Sequence, residues 1–313
     1  MPGVSFVIPI YNKEPYLKDV LAQLKAQRGD FARQYVFVDD GSTDGSLDLL
    51  RDLTKDWDDV VIEAQANAGS AAATNKGVSL AIHSYVKFCD ADDLLHSDAT
   101  QNLLSVMLDN TGVVIVYGNE SRFRDVKELK LDEAVQIKAS NRLVQPVKQS
   151  LFNSLFNPTQ CLVDRAVYIR SGGCDERIVF SQEYTMTMRM ARLGDFIHVD
   201  VPIAYLPVEV VGRLSNNEGR QLQRVTRAVA NFVGDYPDTT WQLKQKLCRR
   251  TASRAWKYQH RINKAFWLTN PYFWQQIRAY FPVLNNQAAF IENTATAFDA
   301  MADQMAKTKK FDE

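Results

Sequence analysis

The chain has 313 residues, of which 46% are hydrophobic and 24% charged, a balance typical of a globular protein with one large or two smaller domains. Lysine plus arginine equals aspartate plus glutamate at 37 each, so the overall charge indicates no partner. The start of the chain lacks a basic region and a cleavage site, and no run approaches the roughly 18 apolar residues of a membrane span, so we expect neither a signal peptide nor a transmembrane helix.

Strand and helix patterns alternate along the first third of the chain. The predicted strands cover 4–10, 34–38, 60–62 and 85–89, and the predicted helices cover 14–27, 46–54 and 70–82. Alternation of this kind predicts an α/β fold with a mainly parallel sheet and helices on both faces.

The rest of the chain divides in two. Strands are predicted at 113–117, 161–163 and 196–199, and a helix at 183–193. After residue 215 the strand patterns stop and the chain looks helical, with breaks near Pro237, Pro271 and Pro282. We therefore predict a domain over 1–215 and a helical C-terminal region over 216–313.

Polar clusters follow three of the predicted strands, beginning at Tyr11, Asp39 and Asp90. Ligands of parallel α/β sheets bind beyond the carboxyl ends of the strands, so these clusters are expected to face one crevice. Asp90 and Asp92 suit Mg²⁺ or Mn²⁺ with substrate phosphates completing the coordination shell, although acidic turns are also common on solvated surfaces. The clusters beginning at Asp39 and Asn67 are open to a second interpretation, as turns and helix caps.

Four segments occur in an order and spacing that resemble family 2 glycosyltransferases, which have the GT-A fold. They are VSFVIPIYNK at 4–13 with VDDGSTD at 38–44, NAGSAAATNKG at 67–77, CDADDLL at 89–95, and GGCDER at 172–177 followed by SQEY at 181–184. The resemblance covers residues 3–215 and implies a Rossmann-like GT-A domain. It also implies a metal-dependent, inverting enzyme that moves a sugar from a nucleotide-sugar donor to a hydroxyl acceptor, such as a glycan or lipid-linked glycan of the cell envelope.

The same resemblance assigns a donor and metal site. The donor site comprises Pro9, Tyr11, Asp40, Asn67, Asn75 and Asp90. Within it, Asp40 matches the carboxylate that contacts the donor base, usually uracil, and Pro9 and Tyr11 match the residues that line the base pocket. Asp90 and Asp92 match the DxD pair for Mn²⁺ or Mg²⁺, with Asp92 as the direct metal ligand and Asp90 contacting the ribose or a metal-bound water.

Glu183 matches the residue that deprotonates the acceptor, although a carboxylate there also stabilises a helix N-terminus. Three departures from the family pattern concern this site. Gln182 and Glu183 stand where Glu-Asp is frequent, and Thr74 replaces an arginine that often precedes Asn75. Residues 205–215 contain no histidine, which some relatives supply as a further metal ligand.

Two other functions are compatible with an α/β sheet of this kind. A sugar-1-phosphate nucleotidylyltransferase normally carries a Gly-rich, Arg-containing loop after its first strand, where this chain has PIYNK at 9–13. A non-catalytic nucleotide-sugar-binding module is the other alternative, and the retained carboxylates argue against it. Residues 157–160 form either part of an acceptor wall, as in relatives, or a plain turn.

The segment 239–291 contains nine lysines and arginines and no acidic residue. Six cations recur at helical steps, namely Lys246, Arg250, Arg254, Lys257, Arg261 and Lys264, opposite an apolar set of Cys248, Ala252, Ala255, Ile262 and Phe266. This predicts a basic amphipathic helix that suits an anionic membrane surface. A helix packed on the catalytic domain is the alternative, and nucleic acid is the least favoured partner.

The four cysteines show no metal-ligand spacing, which favours free thiols in a reducing compartment. We therefore expect a cytoplasmic protein, with peripheral attachment to the inner face of the plasma membrane if the basic helix binds lipid.

Overall fold

The structure, a computed structural model, describes residues 1–133, 135–179, 181–208, 218–262, 267–281 and 286–309, with the backbone alone for 218–220, 261–262, 267 and 302–309. It separates into two units, Met1–Gly212 and Arg213–Glu313.

The first unit contains nine strands and seven α-helices among its described residues. The strands are β1 (Gly3–Ile10), β2 (Ala32–Asp39), β3 (Val60–Ala64), β4 (Tyr85–Phe88), β5 (Leu94–Leu95), β6 (Val113–Phe123), β7 (Ser140–Leu143), β8 (Cys161–Asp164) and β9 (Asp195–Pro207). The helices are α1 (Glu14–Lys25), α2 (Ser46–Thr54), α3 (Ser70–Leu80), α4 (Ala99–Asp109), α5 (Val147–Phe152), α6 (Arg165–Arg170) and α7 (Gln182–Met190).

The strands form one mixed sheet in the order β3-β2-β1-β4-β8-β6-β9-β5, with β7 also paired to β9. The first four are parallel, so their carboxyl ends share one edge. β8 runs antiparallel to both β4 and β6, while β6 and β9 are parallel. The polar clusters after β1, β2 and β4 are therefore brought to one edge by three adjacent strands.

The central strands are apolar nearly throughout, as expected of strands with helices packed on both faces of the sheet. Successive residues of a strand point to opposite faces, so Phe6 and Ile8 pack in one hydrophobic cluster and Val7 in the other. The buried side of α1, which includes Leu17 and Leu24, packs in the first cluster. Apolar residues of α3 lie in the second. The predicted α/β fold with helices on both faces is confirmed.

Several elements of the first unit differ from the sequence prediction. β9 is 13 residues long, whereas only 196–199 were predicted, and α7 ends at Met190 rather than at 193. β6 extends to Phe123 rather than to 117, and α4, α5, α6, β5 and β7 were not predicted. β5 has two residues and β7 has one apolar residue in four, so both depend on pairing with β9 rather than on a local pattern.

The second unit is helical, as the sequence predicted for the C-terminal region. Its helices are α8 (Glu218–Asp235), α9 (Trp241–Ile262), α10 (Pro271–Arg278) and α11 (Gln287–Lys309). In α9 the predicted apolar residues Cys248, Ala252 and Ala255 are fully buried. None of the helices in the described ranges combines the length and apolar character needed to cross a bilayer.

The predicted cationic side of α9 is only partly exposed. Lys246 and Lys257 are exposed, whereas Arg250 and Arg254 are half-buried. The side chains of Arg261 and Ile262, and the whole of Lys264 and Phe266, lie outside the described residues. The four cysteines are free and buried.

Candidate active site

The polar turns that follow β2, β1 and β4 contact one another. The Lys13 ammonium donates to Oδ2 of Asp92 at 2.6 Å, which joins the turn after β1 to the turn after β4. Oδ1 of Asn12 accepts a hydrogen bond from the Thr43 backbone N–H at 2.7 Å, which joins the turn after β1 to the turn after β2. The clusters singled out in the sequence are therefore linked at one sheet edge, where parallel α/β sheets bind ligands.

Asp40 is buried at the end of β2 and orders the loop that leads into α3. Its Oδ1 accepts hydrogen bonds from the Gln65 side chain and the Ala68 N–H, and its Oδ2 accepts one from the Gly69 N–H, each at 2.8 Å. A carboxylate offers about four acceptor positions. Three donors thus use this carboxylate to hold the loop.

The other candidates for the base pocket surround this turn. Tyr11 is 45% exposed just after β1, Pro9 is half-buried within β1, and Asn67 is exposed. Gly41 has a φ of 75°, and a Cβ at this position would lie 2.8 Å from the backbone nitrogen of Asn67. Glycine at 41 thus permits the turn after β2 to touch the Asn67 loop.

Asn75 is saturated by protein partners. Its amide nitrogen donates to the Cys174 carbonyl at 3.0 Å and to the Glu176 carboxylate at 2.7 Å. Its Oδ1 accepts hydrogen bonds from the Tyr168 hydroxyl at 2.6 Å and the Cys174 N–H at 2.9 Å. Gly173, with a φ of 59°, passes so close that a Cβ would lie 2.6 Å from this oxygen. The geometry places Asn75 as the link between α3 and the 172–177 loop.

The carboxylates after β4 lie close enough to Glu183 to affect one another. Burial, followed by the negative charges of Asp92 and Glu183, raises the pKa of Asp90 to about 7. The Lys13 ammonium opposes this effect and is bonded directly to Asp92. Three carboxylates from β4 and α7 therefore contribute negative potential to one region, which favours a cationic ligand.

Glu183 lies in the first turn of α7. Burial raises its pKa to about 6, and the Ser154 hydroxyl donates to Oε1 at 3.4 Å. The helix start is held by the Ser70 hydroxyl, which donates to the Gln182 side chain at 2.8 Å. The chain enters the helix through Ser181 in the left-handed conformation, with a φ of 68°. Contacts from α3 and from the 154 region thus orient the carboxylate.

A buried network beneath Asp90 was not predicted from the sequence. Lys87, in β4, is fully buried and donates to the carbonyls of Phe88 at 2.8 Å and of Thr159. The Thr159 hydroxyl accepts a hydrogen bond from the Asp90 N–H at 3.0 Å and donates to Asp93 at 2.6 Å. The 157–160 segment therefore holds residues 90–93, called the acidic turn, in place. A lysine amid an apolar strand is the only local signal for this network.

An open cavity of about 580 Å³ lies beside the same segment. Its polar lining includes Asn119, Glu120, Gln160 and His198. The side-chain oxygen Oδ1 of Asn119 lies 2.8 Å from Nε2 of His198, and the side-chain amide of Asn157 donates a hydrogen bond to the Glu120 carboxylate. The cavity offers carboxylate, amide and imidazole groups, which suit a ligand rich in hydroxyls.

The donor set fits a hard divalent cation only if the ligand contributes oxygens. Across the described ranges, no group of three or more His, Cys, Asp or Glu residues is arranged to hold a metal. Asp90 and Asp92 are nevertheless two like-charged carboxylates in one turn, and the Lys13 ammonium already bonds to Asp92. Mg²⁺ and Mn²⁺ are commonly held by one or two carboxylates plus phosphate and water, and these residues fit that arrangement.

Comparison with known families identifies the chain. Residues 5–170, more than half of the sequence, match the family described as glycosyl transferase family 2. The chain belongs to glycosyltransferase family 2. This confirms the resemblance drawn from the four segments and favours a transferase over the nucleotidylyltransferase alternative.

Curated relatives are similar over parts of their lengths. An uncharacterised glycosyltransferase of Haemophilus influenzae is 34% identical over 121 residues, which cover 38% of this chain and 47% of that protein. The poly-beta-1,6-N-acetyl-D-glucosamine synthase of Staphylococcus aureus is 26% identical over 119 residues, which cover 38% of this chain and 29% of the synthase. The matched region thus spans less than half the length of these relatives.

Solved structures show the same fold over nearly the whole chain. Residues 1–349 of S. aureus TarS in complex with UDP-GlcNAc superimpose with a TM-score of 0.63 at 17% identity, covering 96% of this chain and 92% of that one. The mannosyltransferase PcManGT of Pyrobaculum calidifontis, in complex with GDP-Man and Mn²⁺, gives 0.55 at 19% identity, covering 97% and 75%. These similarities establish the GT-A fold with C-terminal helices.

Proposed function

We propose that this chain is a metal-dependent, inverting glycosyltransferase that moves a sugar from a UDP-sugar to a hydroxyl of a glycan or lipid-linked glycan. Family membership supports glycosyl transfer. The observation that carries the finer proposal is the proximity of Asp90 to Asp92 and Glu183, since burial and then the charges of these two carboxylates raise the pKa of Asp90 to about 7. Such perturbed carboxylates are typical of catalytic sites.

In this proposal Glu183 acts as the general base. With a pKa of about 6 it is mostly ionised at neutral pH, yet it is more basic than an ordinary glutamate. Its carboxylate takes the proton of the acceptor hydroxyl as that oxygen attacks the anomeric carbon. The bond from this carbon to the diphosphate oxygen breaks at the same time, and its electron pair leaves with the diphosphate. One such displacement inverts the anomeric centre.

Asp92 and Asp90 would hold the divalent cation, with Asp92 as the direct ligand. A bound Mn²⁺ or Mg²⁺ would neutralise the charge of the departing diphosphate. Lys13 adds a positive charge at the same edge and would stabilise the phosphates of a bound donor. The network of Lys87 and Thr159 holds the turn that carries Asp90 and Asp92.

The donor nucleoside is assigned to the turn after β2. Asp40 would accept a hydrogen bond from a base N–H, Tyr11 presents an exposed ring, and Pro9 and Asn67 border the same turn. Asn75 acts there indirectly, by fixing the loop that precedes Glu183. We therefore separate it from the residues that touch the donor.

The acceptor is assigned to the cavity beside the 154–160 segment. This segment contacts Glu183 through Ser154 and the acidic turn through Thr159, and it borders the cavity through Leu155 and Gln160. A glycan held there would have a hydroxyl on the side of the base. The four buried, free cysteines and the cationic second unit are consistent with a cytoplasmic enzyme at the inner face of the plasma membrane.

Calorimetry with UDP, GDP and CMP in the presence of Mn²⁺ tests the donor assignment. We expect UDP to bind most tightly of the three nucleotides. The Asp40→Asn substitution should lower the affinity for UDP more than it lowers the affinity for Mn²⁺. A clear preference for GDP would contradict the uracil assignment. NMR of the glycoside product tests the stereochemistry, and a product with retained configuration would contradict the single displacement.

A further inference from the structure

The solvent-facing side of α10 is mostly apolar, with Arg278 as its one exposed charged residue, whereas an ordinary surface helix is polar on this side. Trp274 and Ile277 lie about one turn apart and are 53% and 40% exposed. Phe281 continues the same spacing past the end of the helix and is 55% exposed. Ala279, on the opposite side, is fully buried. Trp274, Ile277 and Phe281 together are called the apolar stripe.

The exposed part of Trp274 is hydrocarbon. Its indole N–H donates to the Leu268 carbonyl at 2.7 Å, so its polar atom is satisfied within the unit. Leu268 is itself 39% exposed beside it. Contiguous apolar surface of this kind is uncommon on proteins that contact only water, and it marks interaction sites.

One cation of α9, Arg249, lies beside the end of the apolar stripe. The Arg249 guanidinium lies 4.8 Å from the centroid of the Tyr280 ring, next to Phe281 in the chain. Lys246, Arg249 and Lys257 are all exposed on α9, and they are called the cationic rim. The whole stretch 239–291 has no acidic residue.

The described acidic side chains of α11 are paired with another cation. Glu292 and Asp299 both form ion pairs with Arg227 of α8, at 2.5 Å each. Their charge is therefore directed to α8 rather than to the cationic rim. The surface formed by α9 and α10 combines net positive charge with exposed aromatic and aliphatic side chains.

We propose that the apolar stripe and the cationic rim form one docking surface for an anionic lipid bilayer. The stripe side chains enter the headgroup–acyl boundary, where tryptophan and phenylalanine are favoured, while the rim is attracted to lipid phosphates. A second copy of the chain fits less well, because a two-fold pairing of this surface brings cations against cations. This surface differs from the basic side of α9 expected from the sequence, since Arg250 and Arg254 are half-buried.

Sedimentation of the full chain with vesicles tests the proposal, without donor or acceptor, so that the result does not depend on transfer. The vesicles contain phosphatidylcholine alone or mixed equally with phosphatidylglycerol. The apolar variant carries Trp274→Ser, Ile277→Ser and Phe281→Ser, and the charge variant carries Lys246→Glu, Arg249→Glu and Lys257→Glu. Matched controls in the first unit carry Ile82→Ser, Leu108→Ser and Val144→Ser, or Lys18→Glu, Arg51→Glu and Lys55→Glu, all at exposed positions.

We expect the unsubstituted chain and both controls to sediment with anionic vesicles and to be released by salt. The charge variant should bind on the order of 100-fold more weakly, and the apolar variant on the order of 10³-fold more weakly. Circular dichroism and UDP binding should remain unchanged in both variants. The proposal is overturned if the unsubstituted chain does not sediment with anionic vesicles, or if it sediments equally well with neutral ones. It is also overturned if the apolar variant binds anionic vesicles as tightly as the unsubstituted chain does. A concentration-dependent dimer lost in the apolar variant would assign the stripe to a second copy and also overturn it.

Discussion

Replacing Glu183 by glutamine separates a catalytic base from a residue that merely stabilises the start of α7. The substitution keeps the size of the side chain and removes its charge. If the carboxylate takes the acceptor proton, turnover should fall by about 10²–10⁴-fold while UDP binding is nearly unchanged. The rate of the unsubstituted chain should rise with pH through about 6, where Glu183 ionises.

The effect on stability has a sign that distinguishes the two roles. Burial raises the pKa of Glu183 from 4.5 to about 6, so the folded protein holds this proton more tightly than the unfolded chain does. Ionised Glu183 therefore destabilises the fold by about 2 kcal/mol. The full destabilisation is present above about pH 6, and it disappears below pH 4.5, where Glu183 is protonated in both states. Glu183→Gln removes this cost. It should raise the free energy of unfolding near pH 8 by up to about 2 kcal/mol.

Urea denaturation and initial-rate measurements on the same preparations check both expectations. A residue needed only at the helix N-terminus would give the opposite result, a loss of about 0.3–1 kcal/mol with activity largely retained. Glu128→Gln, at an exposed glutamate, serves as the control and should change neither quantity. Near-normal turnover in Glu183→Gln, whatever its stability, would refute the assignment of the base.

Three further outcomes are expected. Asp92→Asn should abolish the EDTA-sensitive transfer and weaken joint binding of Mn²⁺ and UDP in calorimetry; full activity of the unsubstituted chain in EDTA would contradict this. Lys87→Met should lower kcat or metal affinity by about 10–100-fold because Thr159 loses its support, and a variant indistinguishable in titration and rate would show that the network does not position the acidic turn. Asn75→Ala should lower the free energy of unfolding in urea by about 1–3 kcal/mol, since Cys174 and Tyr168 lose their partners. A loss of UDP affinity without a loss of stability would instead place Asn75 in direct contact with the donor.

Local patterns determined much of this protein. The alternation of apolar runs and helical spacing predicted β1 to β4 and α1 to α3 within a few residues, because each pattern records which side chains must leave water. The order of the four segments predicted the family, and the position of the carboxylates after strands predicted that they would share one edge. The contacts of Lys13 with Asp92 and of Asn12 with Thr43 place them there.

Contacts between distant residues decided the remainder. Lys87 and Thr159 are 72 residues apart, and only the pairing of β4 with β8 brings them together. The four hydrogen bonds of Asn75 likewise depend on where the 172–177 loop returns to α3. A local pattern indicates which residues are polar, but a buried polar group needs a specific partner, and the fold selects that partner.

The second unit shows the same division. Its helical character and the breaks near Pro237 and Pro271 were predicted from the sequence, because proline is disfavoured inside a helix but tolerated in its first turn, where Pro271 begins α10. The break predicted near Pro282 lies outside the described residues. The sequence did not predict that Trp274, Ile277 and Phe281 are exposed to solvent. It also did not predict that Arg250 and Arg254 are half-buried. Helical spacing defines which residues share a side of a helix, whereas the neighbouring helices decide which side is covered and which meets the surroundings.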